Sequence, residues 1–168
     1  QWSDDFSKLT MTFKDANNDV FLILEVPSGK SLSAPVGPSK EGHTFDGWDT
    51  SLNNITTDLT VLPLFVVKEY MVIFKDYDAS IIDTVIVKHG EDAIAPAEPS
   101  REGYDFSSWS TTFVSVQSDI EVFSKYDRQS YIVQFNTNGG STIQAQYVDF
   151  ERYASEVIPS RNGYAFND

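Results

Sequence analysis

Phe13, Phe74 and Phe135 stand 61 residues apart, and Val26, Val87 and Val148 keep the same step. That step also joins Pro35 to Pro96, Pro38 to Pro99, Gly42 to Gly103, Phe45 to Phe106, Trp48 to Trp109, Asp58 to Asp119 and Val61 to Val122. A fixed period held at so many positions makes this chain an array of small units, because each copy repeats the residues one core needs. The third copy loses one residue before its proline, so Gly163 follows Gly103 by 60. The period divides the chain into residues 1–8, a first unit at 9–69, a second at 70–130, and a third at 131–168. The third unit has no Trp and no closing strand, so another chain segment or further sequence is expected to complete it. Phe6-Ser7-Lys8 echoes Phe123-Ser124-Lys125. Residues 1–8 therefore read as the tail of a preceding unit or as a leading extension of the first. Gln1–Lys8 of a neighbouring molecule is also a candidate to add a strand to the third unit.

Each unit opens on a strand of period two: Leu9, Met11 and Phe13; Tyr70, Val72 and Phe74; Tyr131, Val133 and Phe135. Alternating apolar positions rich in aromatic and β-branched residues mark a strand with one buried face. Polar turns follow, and Asn138-Gly139-Gly140 supplies residues that tolerate positive φ in a tight hairpin. Second strands are expected over 20–26, 81–87 and 142–148. Next comes a Pro-rich stretch with room for at most one or two turns of helix, since Pro35, Pro38, Pro96 and Pro99 break anything longer. Gly42, Gly103 and Gly163 read as turn residues with positive φ. Phe45, Trp48, Phe74, Phe106 and Trp109 are expected to fill the cores, as aromatics bury the most area. Closing strands are expected over 59–65 and 120–126, with "VVKE" and "DRQS" as linkers.

The hairpin followed by P-x-x-P-S-[KR]-E-G-[HY]-x-F-x-x-W and then D-[LI]-x-V resembles the Listeria–Bacteroides repeat, also called the internalin B-repeat. The resemblance covers two full copies and most of a third. Departures are Ser108 where the first copy has Gly47, and His43 in place of the aromatic after Gly42. The resemblance implies an α+β, β-dominated class: small β-grasp (ubiquitin-like) units in tandem, arranged as an extended rod. It also implies a bacterial cell-surface or secreted protein in which such repeats serve as stalk and adhesion module and not as enzyme.

Composition narrows the partners. With 12 basic against 25 acidic residues, the net charge is −13. That is the wrong sign for nucleic acid, whose phosphates are met by Lys and Arg. Negative charge is spread over all the units, which keeps them soluble and mutually repelled. There is no cysteine, so neither a disulfide framework nor a thiolate metal site is possible. No stretch is long and apolar enough for membrane insertion within this segment. The two histidines, His43 and His89, occupy non-equivalent places: His43 aligns with Tyr104 and His89 with Ser28. A histidine site repeated in each unit is thereby excluded. Asp15, Asn17 and Asp19 alternate as the opening ligands of a calcium loop do. The sixth and twelfth places, where such a loop needs Gly and Glu, hold Val20 and Val26. These three residues are the weak metal candidates, and a solvated hairpin turn is the expected reading. No catalytic, cofactor-binding or ligand-binding residue is assigned and no cofactor is expected. The partners are neighbouring repeats and domains of the same chain, with a host protein or glycan as the alternative. Trp2, Tyr77 and Tyr153, which have no counterparts in the other units, are the candidates for such a contact.

Overall fold

The computed structural model describes residues 7–165. Among them are eleven strands and no helix. The first repeat holds β1 (Lys8–Lys14), β2 (Val20–Pro27), β3 (His43–Trp48), β4 (Leu59–Val61) and β5 (Pro63–Val67). The second holds β6 (Glu69–Lys75), β7 (Ile81–Lys88), β8 (Tyr104–Trp109) and β9 (Ile120–Arg128), and the third β10 (Ser130–Val133) and β11 (Gln146–Asp149). β1 runs antiparallel to β2 and parallel to β4, while β3 pairs antiparallel with β5. The second repeat builds the same plan as one sheet in the order β7-β6-β9-β8.

The period-two strands form where alternation places them. In β1, Met11 and Phe13 are fully buried while the threonines face outward. The outward amide of Thr10 donates to the Asp58 carboxylate at 2.7 Å, and that of Met71 to Asp119 at 2.8 Å. This gives the recurring aspartate its physical reason: it takes up a backbone donor at the start of each first strand. The first core comprises Met11, Phe13, Val26, Leu52, Ile55 and Val61. One step on, Val72, Phe74, Val87, Val116 and Val122 are buried. Of the aromatics expected in the cores, only Phe74 is fully buried. Phe45, Trp48, Phe106 and Trp109 are half-buried and cover the cores edge-on. Trp48 meets Phe13 at 4.8 Å and Phe45 at 5.2 Å, and Trp109 meets Phe74 at 5.0 Å and Phe106 at 5.3 Å.

The α component of the expected class is absent from the described residues. Where a short helix had room, the backbone takes no regular structure and several of its polar groups are bonded across to the segment before the closing strand. The Leu32 amide donates to the Leu52 carbonyl and Ile55 to Lys30. In the second repeat Ala93 donates to Phe113 and Val116 to Glu91. Prolines then follow, which a helix cannot accommodate. Two strands, β3 and β8, lie where only a turn and core aromatics were expected. Their mixed polar pattern hides a strand that is wet on one face. The single closing strand expected over 59–65 is split at Leu62. Pro63 has no amide to donate to a ladder, and the Leu62 amide goes instead to the Asp49 carboxylate at 2.8 Å. Ser124 stands at the place of Pro63, and β9 runs through it unbroken. The four-residue linkers shrink to one residue each, Lys68 and Gln129.

In the third repeat the ladder is shorter than 131–135 against 142–148: it joins Ser130–Val133 to Gln146–Asp149. The Ser141 amide pairs with the Ser160 carbonyl instead. None of the described apolar residues of this repeat is buried.

The chain packs as two compact units, Gln1–Val72 with Val85–Ala93 and Phe113–Ile120, and Ile73–Thr84 with Ile94–Thr112 and Glu121–Asp168. The second sequence repeat contributes to both. The junction of the first and second repeats falls inside the former unit, and that of the second and third inside the latter.

Candidate functional site: the repeat junction

A glycine in a turn starts the junction. Lys40-Glu41-Gly42-His43 closes with the His43 amide on the Lys40 carbonyl at 3.1 Å, and Gly42 has φ +67°. Arg101-Glu102-Gly103-Tyr104 repeats it, with φ +73° at Gly103. A positive φ at the third turn residue favours glycine, as the sequence implied. The second reason for glycine is spatial. A Cβ on Gly42 would lie 2.1 Å from Cδ2 of His89, and one on Gly103 would lie 2.1 Å from Cδ1 of Phe150. His89 and Phe150 are equivalent residues, each at the end of the second strand of the following repeat.

The single linking residue is held from both sides. The Lys68 amide donates to the Gly42 carbonyl at 2.8 Å, and the Lys68 carbonyl accepts the His89 amide at 2.8 Å. The Gln129 amide donates to Gly103 at 2.9 Å, and the Gln129 carbonyl accepts the Phe150 amide at 2.8 Å. Tyr70 sits beside His89, with ring centroids 5.9 Å apart, and Tyr104 beside Phe150 at 6.0 Å. The same half-contact exists at the front of the first repeat, where the Ser28 amide donates to the Ser7 carbonyl at 3.1 Å. The third-repeat counterpart, Gly163 at φ +79°, has nothing within 4 Å of its Cβ position.

Sequence comparison found only the glycines of this site. Ser7, Lys68 and Gln129 are unlike one another, as are Ser28, His89 and Phe150. The linking residues act through backbone groups, which any residue other than proline supplies.

A second cluster lies in the second repeat. The guanidinium of Arg101 is 3.9 Å from the Tyr77 ring centroid and 3.8 Å from that of Tyr104. Beneath it the Asp76 carboxylate accepts from Ser124 Oγ at 2.5 Å, Tyr126 Oη at 2.7 Å and the Tyr77 amide at 2.8 Å. Burial alone would raise the Asp76 pKa. The bonds from Ser124, Tyr126 and Tyr77, with the charge of Arg101, outweigh burial and hold it below the usual carboxylate value. Burial, followed by the bond to Asp76, pushes Tyr126 up. Tyr77, a candidate contact residue, carries the Arg101 guanidinium on its ring and remains exposed. Tyr153 is 96% exposed, and Trp2 lies outside the described residues.

Asp15, Asn17 and Asp19 form the β1–β2 turn. There the Asp15 carboxylate accepts the amides of Asn17 at 2.8 Å and Asp19 at 2.9 Å. No group of three His, Asp or Glu side chains among the described residues is placed to hold a metal ion. A cleft of about 310 Å³ opens in the third repeat, lined in part by Asn138, Gly140, Pro159, Arg161 and Tyr164. At the equivalent place in the second repeat stand the Arg101 stack and the β9 residues Ser124 and Tyr126.

A strand-only repeat joined by a recurring backbone clamp defines a tandem-repeat protein. The chain belongs to the Listeria-Bacteroides repeat domain family, which it matches over residues 10–62, 70–124 and 131–168. It is similar to a protein of Evansella cellulosilytica named "Putative Gly-rich membrane protein", at 24% identity over 98% of this chain and 21% of that one. A "Putative membrane protein" of the same organism is 25% identical over 80% of this chain and 24% of its own length. The chain therefore spans about a fifth to a quarter of these relatives. No helix of the described residues is long and apolar enough to cross a membrane.

Proposed function

We propose that this chain is a non-catalytic spacer, a run of tandem units that holds other parts of a bacterial cell-surface or secreted protein at a distance and serves adhesion in that way. The observation that carries the reading is the junction, built twice with the same two backbone bonds and the same ring-on-glycine packing. Linkers of one residue, bonded on both sides, suit a stiff extended rod; negative charge spread over every repeat supports the same arrangement. The order β7-β6-β9-β8, together with the parallel β1–β4 pair, supports reading each unit as a β-grasp variant with an irregular Pro-rich segment in the place of its helix.

The test is reach. Removing whole repeats from the parent protein on the cell surface should lower access of a large antibody to the outermost domain stepwise. An unrelated rigid spacer of equal length should restore it. Access that ignores repeat number would sink the spacer reading. The alternative, direct binding of a host protein or glycan, is favoured by the exposed Tyr77 and Tyr153. It predicts that Tyr153→Ala abolishes adhesion at constant repeat number.

A further inference from the structure

The closing strand of each full repeat lies between two partners. In the second repeat β9 sits between β6 and β8. In the first, β4 pairs parallel with β1 through Met11–Leu59, Thr12–Thr60 and Phe13–Val61, and β5 pairs with β3. β6 and β9 run parallel too, because the bond from the Met71 amide to Asp119 and that from Ser124 Oγ to Asp76 both span 48 residues. The chain enters each repeat at the start of the first strand and leaves it at the end of the closing strand. A pull along the chain therefore drags these two parallel neighbours lengthwise past each other. We propose that the first two repeats are shear clamps that carry tension along the chain, and that the second yields at a higher force than the first.

The reason is the direction of loading. Ladder bonds run across the strands they join. A lengthwise pull loads all of them at once, so they must break together. A sideways pull at one end opens them one after another. The closing strand has a ladder on each side and cannot slide without shearing both. Forced unfolding is governed by the rate of unfolding and not by equilibrium stability, so one fold can be strong along one direction and weak along another.

The second repeat adds side-chain ties across the loaded pair. Asp76, just past the end of β6, accepts from Ser124 Oγ and Tyr126 Oη of β9, and Lys75 of β6 pairs with Glu121 of β9. The first repeat has Asp15, Pro63, Phe65 and Thr60 at the places of Asp76, Ser124, Tyr126 and Glu121. Asp15 spends its carboxylate on amides of its own turn, and neither Pro63 nor Phe65 has a hydroxyl to offer it. β9 also runs unbroken over nine residues, where the first repeat divides its closing strand into β4 and β5. Spacing needs reach alone and any strand order would supply it. The clamp goes beyond the spacer reading, and the two can fail separately.

Single-molecule pulling on the 168-residue chain tests it, and the absence of cysteine lets thiol handles be placed at will. Handles at Lys8→Cys and Lys68→Cys shear β1 against β4. Handles at Lys8→Cys and Thr57→Cys pull the same ends of both strands apart. The first pair should yield at several times the force of the second, although both variants share one urea midpoint. Glu69→Cys with Gln129→Cys should yield above Lys8→Cys with Lys68→Cys, and adding Asp76→Asn should bring it down toward that level. Pulling the whole chain by its two ends keeps the test decisive if a handle pair fails to fold. Asp76→Asn should then lower the higher of the two main yields and leave the lower one in place. Equal forces for the shearing and the peeling handles, a second repeat no stronger than the first, or a higher yield unmoved by Asp76→Asn would overturn the clamp.

Discussion

The imidazole of His89 occupies the space a side chain on Gly42 would need, with Cδ2 only 2.1 Å from the Cβ position. Phe150 does the same to Gly103. A residue conserved within the chain for its turn conformation is thus also the floor of a contact with the next repeat. Gly42→Ala should destabilise the first two repeats by more than about 2 kcal/mol, from left-handed strain plus the clash. Gly90, at φ +81° with nothing within 4 Å of its Cβ position, separates the two causes. Gly90→Ala should cost only the strain, about 1 kcal/mol. Equal losses for both in urea titrations would remove the packing role of Gly42.

Asp76 ties the β6–β7 turn to β9. Asp76→Asn weakens charge-assisted bonds and should cost about 1–2 kcal/mol at pH 7. Because the folded state lowers the Asp76 pKa, its contribution is present above the unfolded value of about 3.9 and is lost as pH falls through the lower folded value. The stability gap between wild type and Asp76→Asn should therefore be constant from pH 7 to 5 and close below pH 4. A gap undiminished between pH 5 and pH 2 would refute the carboxylate's role.

Ala79 is held at φ +68°, where its counterpart in the first repeat is Asn18 at +69°. A non-glycine residue with an exposed side chain gains nothing there. Ala79→Gly should relieve strain and raise the melting midpoint, worth a few tenths to about 1 kcal/mol after the added entropy of glycine. A lower midpoint would mean that the alanine methyl group makes a contact that matters.

Calcium should leave the melting curve where a chelator leaves it. The Asp15 carboxylate is already bonded to two turn amides, and a metal would have to displace them. A rise of several degrees with calcium would restore Asp15, Asn17 and Asp19 as ligands.

The third repeat should exchange its amides fastest. Its ladder is four pairs long and none of its described apolar residues is buried, so local opening costs little. Residues 131–165 should show protection well below that of residues 70–126 in a dilute solution of the chain. Equal protection would show that the repeat holds a core of its own.

The sequence by itself determined the repeat, the first two strands of each full unit, their buried face and the positive φ at Gly42 and Gly103. These follow from local sterics and from alternation, which a string of residues displays directly. It left β3 and β8 unseen and allowed a helix, because a strand such as "YDFSSW" is fixed by its partner β9 and not by its own pattern. The junction was decided only by tertiary structure. Its bonds run through the backbone of Lys68 and Gln129, so side-chain identity carries no trace of them. His89 and Phe150 share a place without sharing a chemistry. What makes them equivalent is the space above a glycine 47 residues earlier, and that space exists only once the two repeats have folded against each other.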